Sequence, residues 1–80
     1  MDIQAEVSLY PLGKSHLSRS IEAFVEALEE HGCHTEVGDM STLVRGKSDK
    51  LFDAIRIAYE EACKQGGCVL IVHASNACPA

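Results

Sequence analysis

Several groups of residues in this sequence have types and spacings that could carry chemistry. Gly13-Lys14-Ser15 has the ending of a phosphate-cradling loop, in which backbone N–H groups and a lysine hold a nucleotide. That loop needs another glycine five positions before Gly13, and Ser8 stands there, with Pro11 inside the stretch. The residues read instead as a turn leading into a capped helix, with a weak anion site at the helix start left open. His31, Cys33 and His34 lie close in sequence, as metal ligands do. His73 and Cys78 could pair as base and thiolate, but they are five residues apart across a strand end, and sequence alone gives no support for reactivity. No catalytic residue is assigned. The acidic pairs Glu29-Glu30 and Glu60-Glu61 read as solvated helix surface.

These residues are positioned by a simple succession of elements. Ile3, Ala5, Val7 and Leu9 alternate with Gln4, Glu6, Ser8 and Tyr10, the period of a strand, and Pro11-Leu12-Gly13 breaks it. Leu17, Ile21, Phe24, Val25 and Leu28 recur at helical spacing between Ser15, an N-cap, and Gly32, a stop. A second strand over 33–37 turns at Gly38-Asp39 into a third over 41–45, which Gly46 ends. Ser48 is expected to cap a second helix with an inner stripe of Leu51, Phe52, Ile55, Ala58, Tyr59 and Ala62, stopped by Gly66-Gly67. The apolar run from Cys68 to Ala74 predicts a strand buried on both faces.

The order β-α-β-β-α-β predicts an α+β, ferredoxin-like βαββαβ sandwich spanning 1–80 as a single domain. Its antiparallel sheet has order 4-1-3-2, with two helices on one face. Burying Arg45 against the helices is costly, so Arg45, Ser41 and Leu43 belong on the open face. Glu6, Ser8, Tyr10, Val69, Ile71, His73 and Ser75 join them by alternation. Glu6 is expected to pair with Arg45. In this topology Cys63 and Cys68 sit at the opposite end of the sheet from Cys33 and Cys78. The last two occupy opposite edge strands, about three spacings of ~4.8 Å apart. Four metal ligands at ~2.0–2.3 Å cannot be assembled from that scatter within one subunit, so neither a metal nor another cofactor is expected.

Composition narrows the class of partner. A net charge of −5 disfavours nucleic acid and anionic membranes. The sheet also lacks the stacking aromatics and basic rim of an RNA platform. No apolar run approaches the ~18 residues of a membrane span, and the first residues lack the basic and apolar regions of a signal peptide. A cytoplasmic location is expected, with the four cysteines as reduced, small hydrophobes. A chain of 80 residues with 46% hydrophobic residues has more apolar surface than one small core can hide. One core of this size supplies roughly 3–5 kcal/mol. Oligomerisation is expected.

Several stretches together resemble a known family. Ser8-Leu9-Tyr10-Pro11-Leu12 closes the first strand, and Gly38-Asp39-Met40-Ser41-Thr42 with Arg45-Gly46 forms the hairpin. Leu51-Phe52-Asp53-Ala54 begins the second helix, and Ser75-Asn76-Ala77-Cys78-Pro79 closes the chain. The set resembles the YkoF family of thiamine/hydroxymethylpyrimidine-binding proteins. Its namesake carries two tandem repeats where this sequence has one, a gap that the resemblance implies a homodimer or homotetramer would fill. The resemblance implies non-enzymatic binding of thiamine or its hydroxymethylpyrimidine moiety in vitamin B1 salvage or transport. An aminopyrimidine is flat and needs an apolar slot with a few convergent polar groups. Ser8, Tyr10, Ser41, Thr42, His73, Ser75 and Asn76 supply such groups and form the expected ligand-binding set. The alternative is an oligomeric regulatory or structural domain that binds another small molecule or none.

Overall fold

Alternate residues of the first strand set the layers. Ile3, Ala5 and Val7 are buried while Gln4, Glu6 and Ser8 face the other way, so the strand has one dry side and one open side. The structure is a computed structural model that describes residues 1–12 and 17–77. Its elements are β1 (Asp2–Pro11), α1 (Leu17–Glu30), β2 (His34–Val37), β3 (Thr42–Lys47), α2 (Ser48–Ala62), a 3-10 turn (Cys63–Gln65) and β4 (Cys68–Ser75). The strands form one antiparallel sheet in the order β2-β3-β1-β4, the expected 4-1-3-2 read from the other edge. This is the ferredoxin-like α+β sandwich, with both helices against the dry side. Among the described residues no helix is long and apolar enough to cross a membrane.

The core forms where the helix stripes meet the strand alternation. Phe24 and Leu28 of α1, Leu51 of α2, and Val7 and Val44 of the sheet are its largest fully buried side chains. On α2 the buried stripe is Leu51, Ala54, Ile55, Ala58 and Ala62. Its small residues let the helix lie close to α1 and the sheet. Phe52, expected in that stripe, is 50% exposed instead. It follows Leu51 by about 100° around the helix, and three alanines with Leu51 and Ile55, not the aromatic ring, take the inner positions.

The helix ends show how local sequence sets the boundaries. Gly32 has φ +85°, its N–H donates to Glu29 O at 3.1 Å, and Cys33 N–H donates to Leu28 O at 3.1 Å. This pair of bonds is a Schellman motif, and buried Cys33 and Leu28 supply its usual apolar contact. The expected stop at Gly32 is therefore present, whereas Ser15 and Gly13-Lys14-Ser15 lie outside the described residues. Two expectations about β3 and α2 are corrected. Gly46 does not end β3 but pairs with Ile3 inside the ladder, and the strand continues to Lys47. Lys47, extended at φ −68° and ψ 142°, holds the cap position with no side-chain bond, and Ser48 begins the helix. Ser48 is held instead by its N–H, which donates to Met1 O at 2.8 Å.

The run in β4 is not buried on both faces within this chain. Leu70 and Val72 turn toward the helices, but Val69 and Ile71 are 44% and 46% exposed on the open face. Gly32 and Gly46 separate the two uses of glycine. Gly32→Ala forces a left-handed backbone on a side chain and should lower unfolding free energy by about 1–2 kcal/mol. Gly46 has no atom within 4 Å of an added Cβ, so Gly46→Ala should be neutral or mildly stabilising. Chemical denaturation of the two variants checks this, and equal losses would contradict the assignment.

Candidate functional site

The sheet divides the polar residues into two candidate regions. On the open face, register sets Glu36, Leu43, Glu6 and His73 in one row and His34, Arg45, Gln4 and Ser75 in the next. A shallow recess of about 250 Å³ is lined there by Gln4, Glu6, Leu43, His73 and Ser75, placing a carboxylate, an imidazole, an amide and a hydroxyl around one leucine. A second recess of about 300 Å³ continues past Gln4 to Arg45, Ser75 and Asn76. The expected Glu6–Arg45 pair does not form. Arg45 pairs with Glu36 at 3.1 Å, and Glu6 accepts a 2.8 Å hydrogen bond from the Ser41 hydroxyl. Both carboxylates lie diagonal to Arg45 across Leu43, one on each neighbouring strand, and Ser41 occupies Glu6. Both partners of the Arg45–Glu36 pair are well exposed, so it contributes at most about 1 kcal/mol.

The second region lies on the helix side, under the β2–β3 hairpin. Gly38 N–H donates to Ser41 O at 2.8 Å, closing the loop so tightly that a Cβ on Gly38 would sit 3.1 Å from that oxygen. The loop thereby overhangs the end of the sheet where α1 crosses it. The cleft beneath it, about 100 Å³, is the more enclosed of the two regions. Val7, Leu9, Ile21, Phe24, Val37 and Met40 form its apolar walls, and Asp39, Ser41 and Thr42 bring polar groups to it. Thr42, only 6% exposed, lines the cleft. A threonine hydroxyl among apolar walls is the kind of polar group that fixes a ligand's orientation.

The expected ligand-binding set is thus distributed, not gathered. His73 and Ser75 share the open-face recess, and Asn76 adjoins it with its amide 3.6 Å from Met1 Sδ. The Ser75 hydroxyl already accepts from Ala77 N–H at 2.9 Å. Ser8 and Tyr10 lie farther along the same face, opposite Ile71 and Val69. Thr42 is on the other side of the sheet, and Ser41 bridges both regions, its hydroxyl on Glu6 and its neighbours in the cleft. Sequence reasoning left out Asp39, Met40, Ile21 and Phe24 as site residues, because a turn and a core stripe account for them equally well. Gln4 was recoverable from the alternation that placed Glu6 and Ser8.

The two buried thiols are poor nucleophiles. Cys33 and Cys68 are buried and free, and burial raises both thiol pKa values above the ordinary 9.0, with Cys63 adding to the effect at Cys68. Cys78 lies outside the described residues, as does its geometry toward His73. Among the described residues, no three His, Cys, Asp or Glu side chains converge as metal ligands.

An antiparallel βαββαβ sandwich with a cleft under its hairpin defines a small ferredoxin-like protein. The chain belongs to the thiamine-binding protein family, whose sequence pattern matches residues 5–73. A hypothetical protein from Methanocaldococcus jannascii has a similar structure, with TM-score 0.87 and 23% identity over 94% of this chain and 79% of its own. A protein from Streptococcus pneumoniae aligns with TM-score 0.86 and 18% identity over 94% and 86%. A Thermotoga maritima protein provisionally assigned to thiamine biosynthesis or salvage gives TM-score 0.83 and 18% identity over 94% and 83%. At these identities the likeness establishes the fold. No curated protein sequence matches the chain.

The raised thiol pKa values carry a sign. A group that holds its proton more tightly when folded stabilises the fold fully below its unfolded pKa and loses that contribution as pH rises through the folded value. Stability should therefore decline as pH rises above about 9, and Cys33→Ala should flatten that decline. Denaturation midpoints between pH 7 and 11 check this, and identical profiles for both proteins would contradict it.

Proposed function

We propose that this chain binds thiamine or its hydroxymethylpyrimidine moiety without turnover, in vitamin B1 salvage or transport, as a cytoplasmic homodimer or homotetramer. The observation that carries the reading is the family match over residues 5–73, which includes every residue of the hairpin cleft. The pyrimidine is assigned to that cleft. A dry cavity of about 150 Å³ accommodates benzene, so an open cleft of about 100 Å³ admits a six-membered ring with one edge outside. Phe24 and Leu9 offer apolar contact to such a ring. Asp39 can accept from an exocyclic amine, and the Thr42 hydroxyl can donate to a ring nitrogen. The thiazolium of thiamine then lies at the mouth, where the Asp39 carboxylate complements its charge.

A second placement is favoured by the polar groups of the open face. Glu6, His73 and Ser75 around Leu43 form a larger recess, about 250 Å³, with Ser8, Tyr10 and Asn76 nearby. The two placements make opposite demands on single variants.

Calorimetric titration with thiamine and with hydroxymethylpyrimidine tests the reading. Saturable binding of both is expected, and Thr42→Val, which keeps shape and removes one hydrogen bond, should weaken each by roughly 2- to 10-fold. Asp39→Asn should weaken thiamine more than the neutral pyrimidine, and His73→Ala should change neither. Loss on His73→Ala with Thr42→Val unaffected would move the ligand to the open face. Absence of heat and of thermal shift at millimolar ligand would overturn the thiamine assignment.

A further inference from the structure

The turn that joins α2 to β4 holds two thiols that neither candidate region uses. Cys63 opens the 3-10 turn and Cys68 opens β4. Gly66 N–H donates to Cys63 O at 3.1 Å, and Gly66, at φ +140°, reverses the chain where a side chain would be strained. Two further bonds brace the return. Leu12 N–H donates to Gly67 O at 2.8 Å, and the Tyr59 hydroxyl donates to Cys68 O at 2.7 Å. Tyr59 stands one helical turn before Cys63, so a single ring borders both cysteines.

The Cys68 thiol points back toward the end of α2. It donates to Ala62 O at 3.7 Å and lies 4.0 Å from Gly66 O. The Ala62 carbonyl is bonded directly to the Cys63 nitrogen, which sets the Cys68 sulfur against the Cys63 backbone. The Cys63 side chain completes the group, hydrogen-bonded to both the Tyr59 hydroxyl and the Cys68 thiol. The two thiols differ in access, since Cys63 is half-buried and Cys68 is only 9% exposed. Cys33 is remote from them. It precedes His34, whose row crosses the sheet at Arg45 and Gln4, whereas Cys68 lies opposite Pro11. The length of β1 between Gln4 and Pro11 is on the order of 20 Å.

We propose that Cys63 and Cys68 are a redox-responsive pair, forming an intramolecular disulfide by exchange with a low-molecular-weight disulfide. Cys63, the accessible member, loses its proton and attacks one sulfur of the small disulfide, whose S–S bond breaks and releases one small thiol. Cys68 then loses its proton and attacks the Cys63 sulfur of the mixed disulfide, releasing the second small thiol. Two protein thiols are oxidised and one small disulfide is reduced to two thiols. Closure needs two sulfurs already adjacent and a backbone that can follow them. The contact supplies the first. Gly66 supplies the second, with nothing within 4 Å of an added Cβ. The bond ties the last turn of α2 to the first residue of β4, across a turn that Tyr59 and Leu12 already hold. The pair is independent of the ligand reading.

Equilibration of the folded protein with glutathione and glutathione disulfide at a series of ratios tests it, with acid quenching, alkylation in denaturant and mass spectrometry. Alkylatable thiols should fall from four to two, with loss of two hydrogens and no change in the number of chains. Trypsin cleaves after Arg56 and Lys64, so the bond should join peptides 57–64 and 65–80, and in Cys78→Ser the second of these holds Cys68 as its only cysteine. Half-oxidation of the folded protein should need about 10-fold less glutathione disulfide than in concentrated urea, because folding holds the thiols together. Cys63→Ala and Cys68→Ala should each abolish the product. Cys63→Ala, at the half-buried position, decides the matter if Cys68→Ala unfolds. Thiols that stay reduced in excess glutathione disulfide would overturn the proposal. So would a bond to Cys33 or between two copies, glutathione retained on Cys63 without closure, or equal oxidation of the folded and unfolded protein.

Discussion

The structure depends on the pleat of β1. This strand is bonded on both sides, to β3 and to β4, so its alternation is imposed on the whole sheet. Ile3, Ala5 and Val7 must face the helices, since each removes apolar surface from water at about 25 cal/mol per Å². A register slip of one residue would bury Gln4 and Glu6 and expose the core set, which fixes the pairing strongly. Once β1 is fixed, Thr42 and Val44 are carried inward on β3, and Leu70 and Val72 on β4. Both helices then have one dry surface on which to pack. The same alternation gathers Glu6, Leu43, His73 and Ser75 on the other side.

That division explains why adjacent residues of the hairpin serve different regions. Ser41 directs its hydroxyl to Glu6 on the open face, and Thr42, one residue on, is buried against the helix layer. The cleft exists because the Gly38–Ser41 bond folds the loop over the end of the sheet before β3 begins. A side chain at Gly38 would press on the Ser41 carbonyl, so the shape of the overhang depends on a missing Cβ. The polar groups of the cleft therefore come from the loop and the first residue of β3. Its apolar walls combine the core residues Val7 and Phe24 and the half-buried Leu9 with the exposed side chains of Ile21, Val37 and Met40.

How much of this could be read from the sequence follows from which forces are local. The period of two in residues 3–10, the period of the helices and the turn glycines are local signals, and they suffice for element order and the face of each strand residue; strand order comes from the fold-level rule on crossovers. Gly32 is legible because only a glycine suits the left-handed position that ends α1. Choices between near-equivalent partners are not legible. Arg45 has a glutamate diagonal to it on either side, and which one it meets depends on where the Ser41 hydroxyl points. Phe52 and Leu51 are both apolar at neighbouring positions, and only the closeness of α1 and the sheet decides that Leu51 goes in. The cleft was hidden for a related reason. Ile21, Phe24 and Asp39 fit a core stripe and a turn so well that nothing in their types marks a site.

The uninterrupted apolar run of β4 shows how a sequence pattern can hold information that one folded chain does not use. Such a run predicts burial on both faces, yet the helices cover only one, leaving Val69 and Ile71 about half exposed. The polar residues that would tolerate solvent are supplied at the corresponding positions of β1, where Gln4, Glu6 and Ser8 occupy the open face. Polar groups stand on this side of the sheet on both strands, Gln4, Glu6 and Ser8 on β1 and His73 and Ser75 on β4. The apolar part of β4's open face is confined to one end, where Ile71 and Val69 lie opposite Ser8 and Tyr10, and the polar part to the other, where His73 and Ser75 lie opposite Glu6 and Gln4. The alternation that gives the strand two faces therefore also carries a gradient along it, and the open-face recess forms at the polar end.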